Sequence, residues 1–206
     1  MISPSSLTTT LHVAEATRNS NTRTLSSMMR RWSQLAQERL TLIQCDKARP
    51  KAVDLCEVTK AISRDLQKGW KVFFAYDENL NIEGLAIANF TKTAIEIKQL
   101  ATHPKNIPLF EGDTKVCKGV GTSLMALFAS LAIEGNLRSI KLESLPTAVE
   151  FYKKFGFQVC ANQAPGQTSL TTMKLDSEGI MNIAQNFGSK IVRAPKEPDL
   201  TKAPPS

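Results

Sequence analysis

Apolar residues recur along this chain with two different spacings, and these spacings separate predicted helices from predicted strands. Spacing of three and four residues predicts helices at residues 24–39, at 52–68, directly after a glycine-bearing loop that starts at residue 117, at 146–155 and at 181–187. Continuous or alternating apolar runs predict strands at residues 40–45, 71–76, 82–90, 94–102, 139–143, 157–160 and 169–176. The chain thus alternates strands with helices over most of its length.

Two connections within the sheet follow from these elements. The polar residues 77–81 separate strands 71–76 and 82–90, which is typical of an antiparallel hairpin. Strand 139–143 is expected to run parallel to strand 94–102, because a helix connects the two. Strand 94–102 is apolar on most of both faces, so we expect it near the centre of the sheet.

The two ends of the chain differ from its middle. Residues up to about 21 are rich in Ser, Thr and Asn and are expected to be poorly ordered. The Arg-rich helix that follows packs on the domain or, alternatively, belongs to an organelle transit peptide. Residues 193–206 contain four prolines and are expected to form a tail. We therefore predict a domain over 40–176, with extensions over 1–39 and 177–206.

Composition narrows the function classes. The chain of 206 residues has a formal net charge of +7, but its Lys and Arg residues are spread out, which argues against a dedicated nucleic-acid-binding module. The four cysteines are scattered, so we expect reduced thiols and no metal site. No secretory-type segment is visible at the start, which predicts a cytoplasmic protein or, alternatively, an effector secreted into another cell's cytoplasm.

A glycine-bearing loop at Lys118-Gly119-Val120-Gly121-Thr122 runs directly into a helix and follows the central strand. Glycine lets the backbone approach a ligand closely, and the first turn of a helix leaves N–H groups unpaired, so the loop is a candidate phosphate site. The alternative is an ordinary turn and helix cap, to which Thr122 or Ser123 would contribute.

A second motif lies downstream, at Ala148-Val149-Glu150-Phe151-Tyr152-Lys153-Lys154-Phe155-Gly156-Phe157. With the strand ending at His103-Pro104 and the glycine loop, this order resembles the GNAT-type N-acetyltransferases over residues 40–176. The resemblance implies an α/β (α+β) fold: a mixed, mostly antiparallel central sheet, flanked by helices and splayed to form an acetyl-CoA cleft.

The resemblance also implies which residues bind acetyl-CoA, the expected co-substrate. Main-chain N–H groups of Lys118, Gly119, Val120, Gly121 and Thr122 would hold the CoA pyrophosphate. Leu100 and Thr102 would pair with the pantetheine arm from the strand edge. The chain departs from the family where Val116 replaces the usual Gln or Arg.

The loop between Pro104 and Gly119 is longer than is usual in the family. Its fourteen residues, 105–118, either cover the cofactor or contact substrate, or form a tolerated surface insertion.

Tyr152 occupies the position at which the family places a tyrosine that acts on the leaving CoA thiolate. A phenol has a pKa near 10 and can protonate the thiolate or donate a hydrogen bond to it as the C–S bond breaks. The alternative is a purely structural aromatic residue beside Phe151 and Phe155.

Glu96 is the second catalytic candidate, because some family members carry a general base at this position of the strand. Lys98, two residues further on, offers an alternative in which the two side chains form an ion pair. His103 is interpreted as structural.

The predicted function is direct transfer of acetyl from acetyl-CoA to a primary amine within a ternary complex. The acceptor is open: a small molecule, a protein or, with weaker support, an aminoacyl-tRNA. A homodimer is possible, and membrane association is not expected. The alternative from another class is an inactive CoA-binding sensor or scaffold.

Overall fold

The fold is built on one eight-stranded sheet covered by helices on both faces. The computed structural model describes residues 11–16, 22–44, 46, 48–65, 68, 70–110, 113, 117–160, 170–188 and 191–193. The helices are α1 (Thr22–Leu42), α2 (Arg49–Asp65), α3 (Val120–Glu134), α4 (Val149–Lys153) and α5 (Ser177–Phe187). The strands are β1 (Leu11–Glu15), β2 (Lys71–Tyr76), β3 (Ile82–Phe90), β4 (Ala94–Thr102), β5 (Ser139–Ser144), β6 (Gln158–Val159), β7 (Thr171–Leu175) and β8 (Ile191–Arg193).

The spatial order of the strands is β6-β7-β5-β4-β3-β2-β1-β8. Neighbours pair antiparallel except β4 with β5 and β1 with β8, which are parallel. The predicted hairpin of β2 and β3 and the parallel pair of β4 and β5 are confirmed. The predicted fold class, a mixed and mostly antiparallel sheet flanked by helices, is confirmed as well.

Two apolar cores lie on opposite faces of the sheet. Helices α1 and α2 cover one face through buried residues that include Leu25, Met29 and Trp32. Helices α3 and α5 cover the other face, where α3 buries Leu124 and Phe128 against the sheet. The predicted apolar face of the first helix therefore faces the sheet, as amphipathic spacing requires.

Two predictions for the first fifth of the chain are wrong. Residues Leu11–Glu15 were expected to be poorly ordered, but they form β1, because Leu11 and Val13 are buried against the sheet and the backbone pairs with β2. Residues 40–45 were expected to form a strand, but α1 continues to Leu42, because this segment packs on the core through Ala36 in the helix and Ile43 directly after it; residue 45 lies outside the described residues.

Other element bounds differ in length. Helix α2 spans Arg49–Asp65 and so begins earlier than predicted, while residues 66 and 67 of the predicted helix lie outside the described residues. Helix α5 starts at Ser177, where the Asp176 side chain accepts a hydrogen bond from the Gly179 N–H at 3.0 Å, so it is longer than predicted. Strand β8 was not predicted. The start of the last predicted strand at 169 and the tail residues 194–206 lie outside the described residues.

The sheet includes strands from both predicted extensions, since β1 and β8 pair with each other at one edge. The division of the chain at residues 39 and 176 stays a prediction. No helix in the part of the chain that the structure describes is long and apolar enough to cross a bilayer.

Candidate active site at the divergence of two parallel strands

Strands β4 and β5 separate part-way along their length. They pair in parallel from Ala94 to Ile97 on β4, the last pair being Ile97 with Leu142. Both strands continue, β4 to Thr102 and β5 to Ser144, but without pairing to each other. The sheet is therefore splayed beyond this point.

A β-bulge accounts for the separation. On the other side of β4, Ile87 pairs with Gln99 and Ala88 pairs with Ile97, so that Lys98 is an extra residue on β4. A bulge bends its strand and increases its twist. Because the bulge follows directly after the last β4–β5 pair, it turns the rest of β4 away from β5.

A cavity of about 250 Å³ occupies the divergence. It is lined by Glu57, Val58, Ala61, Arg64, Ile97, Lys98, Gln99, Leu100, Leu142, Glu143, Ser144, Leu145, Ala148, Tyr152 and Leu170. Its walls thus come from α2, β4, β5, the segment that follows β5 and the residue before β7. Apolar walls with a few polar groups are typical of small-molecule sites.

Helix α2 crosses over this cavity from one strand to the other. Near its start, the Thr147 hydroxyl donates a hydrogen bond to the Asp54 carboxylate. Near its end, Gln99 Nε2 donates to Asp65 Oδ2 at 3.3 Å. The first contact is to the segment after β5 and the second is to β4, so α2 spans the gap between them.

Tyr152 lies in α4 with 8% of its surface exposed, and it lines the cavity. Its ring contacts Phe151 and Phe157 edge to face, at centroid distances of 5.1 and 5.6 Å. Burial raises the pKa of its phenol to about 12, because desolvation disfavours the charged phenolate. The phenol is therefore protonated at neutral pH.

Residues on both sides of α4, the helix that contains Tyr152, determine where it starts and ends. Pro146 begins a 3-10 turn over Pro146–Ala148, which leads into α4. Gly156 has φ of +89°, a left-handed conformation that favours glycine, and the chain turns there into β6. The left-handed conformation predicted for Gly156 is confirmed, but its place as the cap is wrong, because the α-helical part is only Val149–Lys153 and Lys154 is the C-cap.

The glycine loop presents an open helix N-terminus. Gly119 is the N-cap of α3 with φ of +86°, and no side chain caps the helix there. Within the described residues, nothing lies within 4 Å of a Cβ added at Gly119. The capping role considered for Thr122 and Ser123 is wrong, because α3 begins at Val120 and both residues lie inside its first turns.

Phe151 joins the loop to the cavity. A Cβ added at Gly121 would lie 2.9 Å from Cζ of the Phe151 ring, which is closer than real side-chain contacts. Only glycine therefore lets the first turn of α3 approach α4 at this distance. Phe151 packs against the loop while its neighbour Tyr152 lines the cavity.

The free edge of β4 directs backbone groups into the gap. The His103 N–H donates to Glu83 O at 2.7 Å, which marks a hydrogen-bonded pair with β3. Hydrogen-bonded and non-hydrogen-bonded pairs alternate along an antiparallel ladder. The backbone N–H and C=O groups of Leu100 and Thr102 therefore point away from β3, into the gap between β4 and β5. Within the described part of the chain, these backbone groups have no hydrogen-bond partner, so they can pair with an extended ligand.

Similar solved structures include several N-acetyltransferases. The GCN5-related N-acetyltransferase of Rhodopseudomonas palustris matches with a TM-score of 0.52 and 14% identity, over 83% of this chain and 98% of that protein. This chain has the GNAT fold. No protein-family model matches the sequence. No curated protein matches it either.

Two further similar structures differ in how much of their length is matched. The chain spans 65% of a nourseothricin acetyltransferase, with 20% identity, a TM-score of 0.40 and 52% of this chain covered. It spans 98% of the PaiA N-acetyltransferase of Thermoplasma acidophilum, solved with coenzyme A, with 12% identity, a TM-score of 0.48 and 81% of this chain covered.

In this GNAT fold, Glu96 lies outside the cavity lining. Its carboxylate pairs with Lys98 Nζ at 2.9 Å, as the alternative interpretation of this residue predicted. A hydrogen bond from Lys98 is the main cause that lowers the pKa of Glu96, which makes it a weaker base. Its assignment as general base stays a prediction, with no support from its position.

The residues between Pro104 and Gly119 are tied to the sheet through Glu83, a carboxylate that is 2% exposed on β3. Lys105 Nζ lies 2.5 Å from its Oε1, and Asn106 Nδ2 donates to its Oε2 at 2.9 Å. Asn106 Oδ1 in turn accepts from the Cys117 N–H at 2.8 Å. This Glu83 network holds both ends of the insertion beside the glycine loop.

His103 and Cys117, near the strand end and the loop, are buried enough to stay neutral. Burial lowers the pKa of His103 to about 4, and its ring contacts Trp32 edge to face at 4.9 Å. Burial raises the pKa of Cys117 to about 11, so its thiol is a poor nucleophile at neutral pH. Within the described residues, no His, Cys, Asp and Glu cluster could hold a metal ion.

Sequence reasoning missed the polar side chains of the cavity. Glu57 and Arg64 lie on α2, and Glu143 lies on β5. No motif marks these residues, because they meet only where α2 crosses the splayed strands. Helical spacing on α2 could have shown that Glu57 and Arg64, two turns apart, share one helix face.

Proposed function

We propose that this protein transfers the acetyl group of acetyl-CoA to a primary amine, with Tyr152 as the general acid. The observation that carries the proposal is the place of Tyr152: a buried phenol lines the cavity between β4 and β5. The GNAT fold supports acetyl transfer at the level of the family.

The glycine loop fits a pyrophosphate. The main-chain N–H groups of Gly119, Val120, Gly121 and Thr122 surround the uncapped start of α3, where the helix dipole favours an anion, and Lys118 adds an exposed positive charge. The open space at Gly119 leaves room for the ligand to approach the backbone.

The rest of acetyl-CoA would follow the gap between the strands. The free backbone groups of Leu100 and Thr102 are oriented to pair with the amides of the pantetheine arm, in the way an added strand would pair. On this path from the glycine loop toward Tyr152, the thioester would lie in the cavity.

The amine nitrogen attacks the acetyl carbonyl carbon, an N–C bond forms, and the C–S bond breaks with its electron pair leaving on sulfur. The Tyr152 hydroxyl donates a hydrogen bond or its proton to this sulfur, and the amine gives up a proton to water or a carboxylate. The low-polarity surroundings that raise the phenol pKa also disfavour a free thiolate, so a donor at this position stabilises the leaving group.

Replacing Tyr152 with Phe tests the proposal. We expect kcat to fall by a factor of about 10² to 10⁴, the usual contribution of a general acid, while the Kd of acetyl-CoA changes little. The chain contains one other tyrosine, Tyr76, which is 3% exposed on β2 and not part of the cavity lining, so Tyr76→Phe removes the same atom as a matched control.

The assay is thiol release from acetyl-CoA in the presence of an amine panel, with CoA affinity measured by calorimetry. Undiminished kcat in Tyr152→Phe would overturn the role of the phenol. Tight CoA binding without turnover on any amine would instead favour the CoA-binding sensor.

A further inference from the structure

The cavity under α2 carries charges of opposite sign on its two sides. Glu57 and Glu143 line it on the side of β5, which we call the acidic side. Arg64 and Lys98 line it on the side of β4, which we call the basic side. The contacts of α2 fix this arrangement, because its first half touches the segment after β5 and its second half touches β4.

The two sides are separated by a distance that the helix sets. Glu57 and Arg64 are seven residues apart on α2, and a rise of 1.5 Å per residue separates their Cα atoms by about 10 Å along the axis, which sets the scale of the separation between the two sides. Seven residues are also close to two full turns, so both side chains lie on the face that lines the cavity.

One charge on each side is available to a ligand. Glu57 pairs with Lys60 at 3.2 Å, and Lys98 pairs with Glu96 at 2.9 Å. For Glu143 and Arg64, no ion pair is present within the described residues. A ligand that bridges the cavity would therefore meet an unpaired carboxylate on one side and an unpaired guanidinium on the other.

Tyr152 determines which end of the ligand reacts. It belongs to α4, which directly follows the segment that contacts the first half of α2, so we assign it to the acidic side with Glu143. Under the proposed function, on which this inference rests, the attacking nitrogen must reach the thioester beside Tyr152. A protonated amine is drawn to carboxylates before it loses its proton, so the amine belongs on the acidic side and an anion belongs on the basic side.

We propose that the acceptor is a zwitterion, with its amine bound by Glu143 on the acidic side and a carboxylate or similar anion bound by Arg64 on the basic side, across a separation of about 10 Å that two turns of α2 set. An extended peptide covers about 3.3 to 3.6 Å per residue, so the amino and carboxyl termini of a tripeptide are separated by this distance. The substrate class is therefore a short peptide or a compound of similar length and charge.

The test compares triglycine with triglycine amide, which differ only in the terminal carboxylate. We expect kcat/KM for triglycine to be about tenfold higher, because the guanidinium–carboxylate contact is made only by the free acid. In Arg64→Gln this preference should fall to about threefold or less, and in Arg64→Glu it should reverse in favour of the amide. Lys51→Gln removes a positive charge from α2 outside the cavity lining and should leave the preference unchanged.

Binding of both peptides to CoA-saturated protein, measured by calorimetry, separates the two possible failures. Preferential binding of triglycine that depends on Arg64, without turnover, would overturn the proposed acetyl transfer and support the charge arrangement. Equal binding of the two peptides, or no saturable binding of triglycine, would overturn the inference even if other amines are acetylated.

Discussion

Removing the partner of a buried carboxylate gives the sharpest test of how the insertion is held. Glu83 is 2% exposed, whereas Lys105, whose Nζ lies 2.5 Å from it, is 43% exposed. Lys105→Met keeps most of the aliphatic length of the side chain and removes the charge. In this variant the Glu83 carboxylate keeps the hydrogen bond that Asn106 Nδ2 donates to its Oε2 at 2.9 Å.

The expected magnitude lies between two limits. Breaking a fully buried ion pair costs about 3 to 5 kcal/mol, and breaking an exposed one costs about 0 to 1 kcal/mol. Because one partner is buried and the other half-exposed, we expect the free energy of unfolding to fall by about 2 kcal/mol. For a chain of this length, that lowers Tm by about 4 to 8 °C.

Urea unfolding of Lys105→Met, Glu83→Gln and the double variant measures the interaction directly. The double variant should be less destabilised than the two single changes added together, with a coupling energy of about 1 to 2 kcal/mol. Lys92→Met is the control, since Lys92 is also exposed on a loop between strands. Additive single effects, or an equal loss in the control, would refute the argument from burial.

Two further predictions concern the glycine loop and the strand end. Gly119→Ala should cost about 1 kcal/mol of stability because of the left-handed backbone, but the new methyl group makes no contact within the described residues. Gly121→Ala displaces the Phe151 ring instead. We therefore expect Gly121→Ala to lower kcat more than Gly119→Ala does, while the two variants have similar Tm. Because the pKa of His103 is lowered to about 4 from 6.5, the unfolded chain binds a proton between these values that the native protein does not. The free energy of unfolding should therefore fall by up to about 3 kcal/mol as pH decreases from 6.5 to 4, and the Tm of His103→Gln should be less sensitive over this range; equal sensitivity would contradict the assignment.

The elements that were predicted correctly are marked by residues close to them in the sequence. The polar residues 77–81 between two apolar runs specify the hairpin, and the glycine before α3 specifies where that helix starts. Strands β1 and β8 have five and three residues and are stabilised by pairing with segments distant in sequence, so no local pattern marks them. The apolar run at 40–45 is compatible with both helical and strand spacing, and packing against the sheet favours the helix, which continues to Leu42.

The same distinction applies to the candidate site. The glycine loop and the motif around Tyr152 are contiguous, so sequence alone predicts them. The charged lining of the cavity depends on the bulge at Lys98, which separates β4 from β5 and lets Glu143 face α2 across the gap. A bulge depends on the register between two strands, and that register cannot be derived from the residues of one strand.

The glycine loop and the motif around Tyr152 are also in direct contact, which the sequence of neither motif shows by itself. Phe151 and Tyr152 are neighbours in a helix of five residues, and they face different parts of the site. The ring of Phe151 packs on Gly121 at the proposed pyrophosphate loop, while the phenol of Tyr152 lines the cavity. Because Phe151 also contacts Phe155 at 5.0 Å, its ring has little freedom to move alone. A shift of the loop would therefore rotate or translate α4 as a unit, so the position of the loop and the position of the phenol depend on each other.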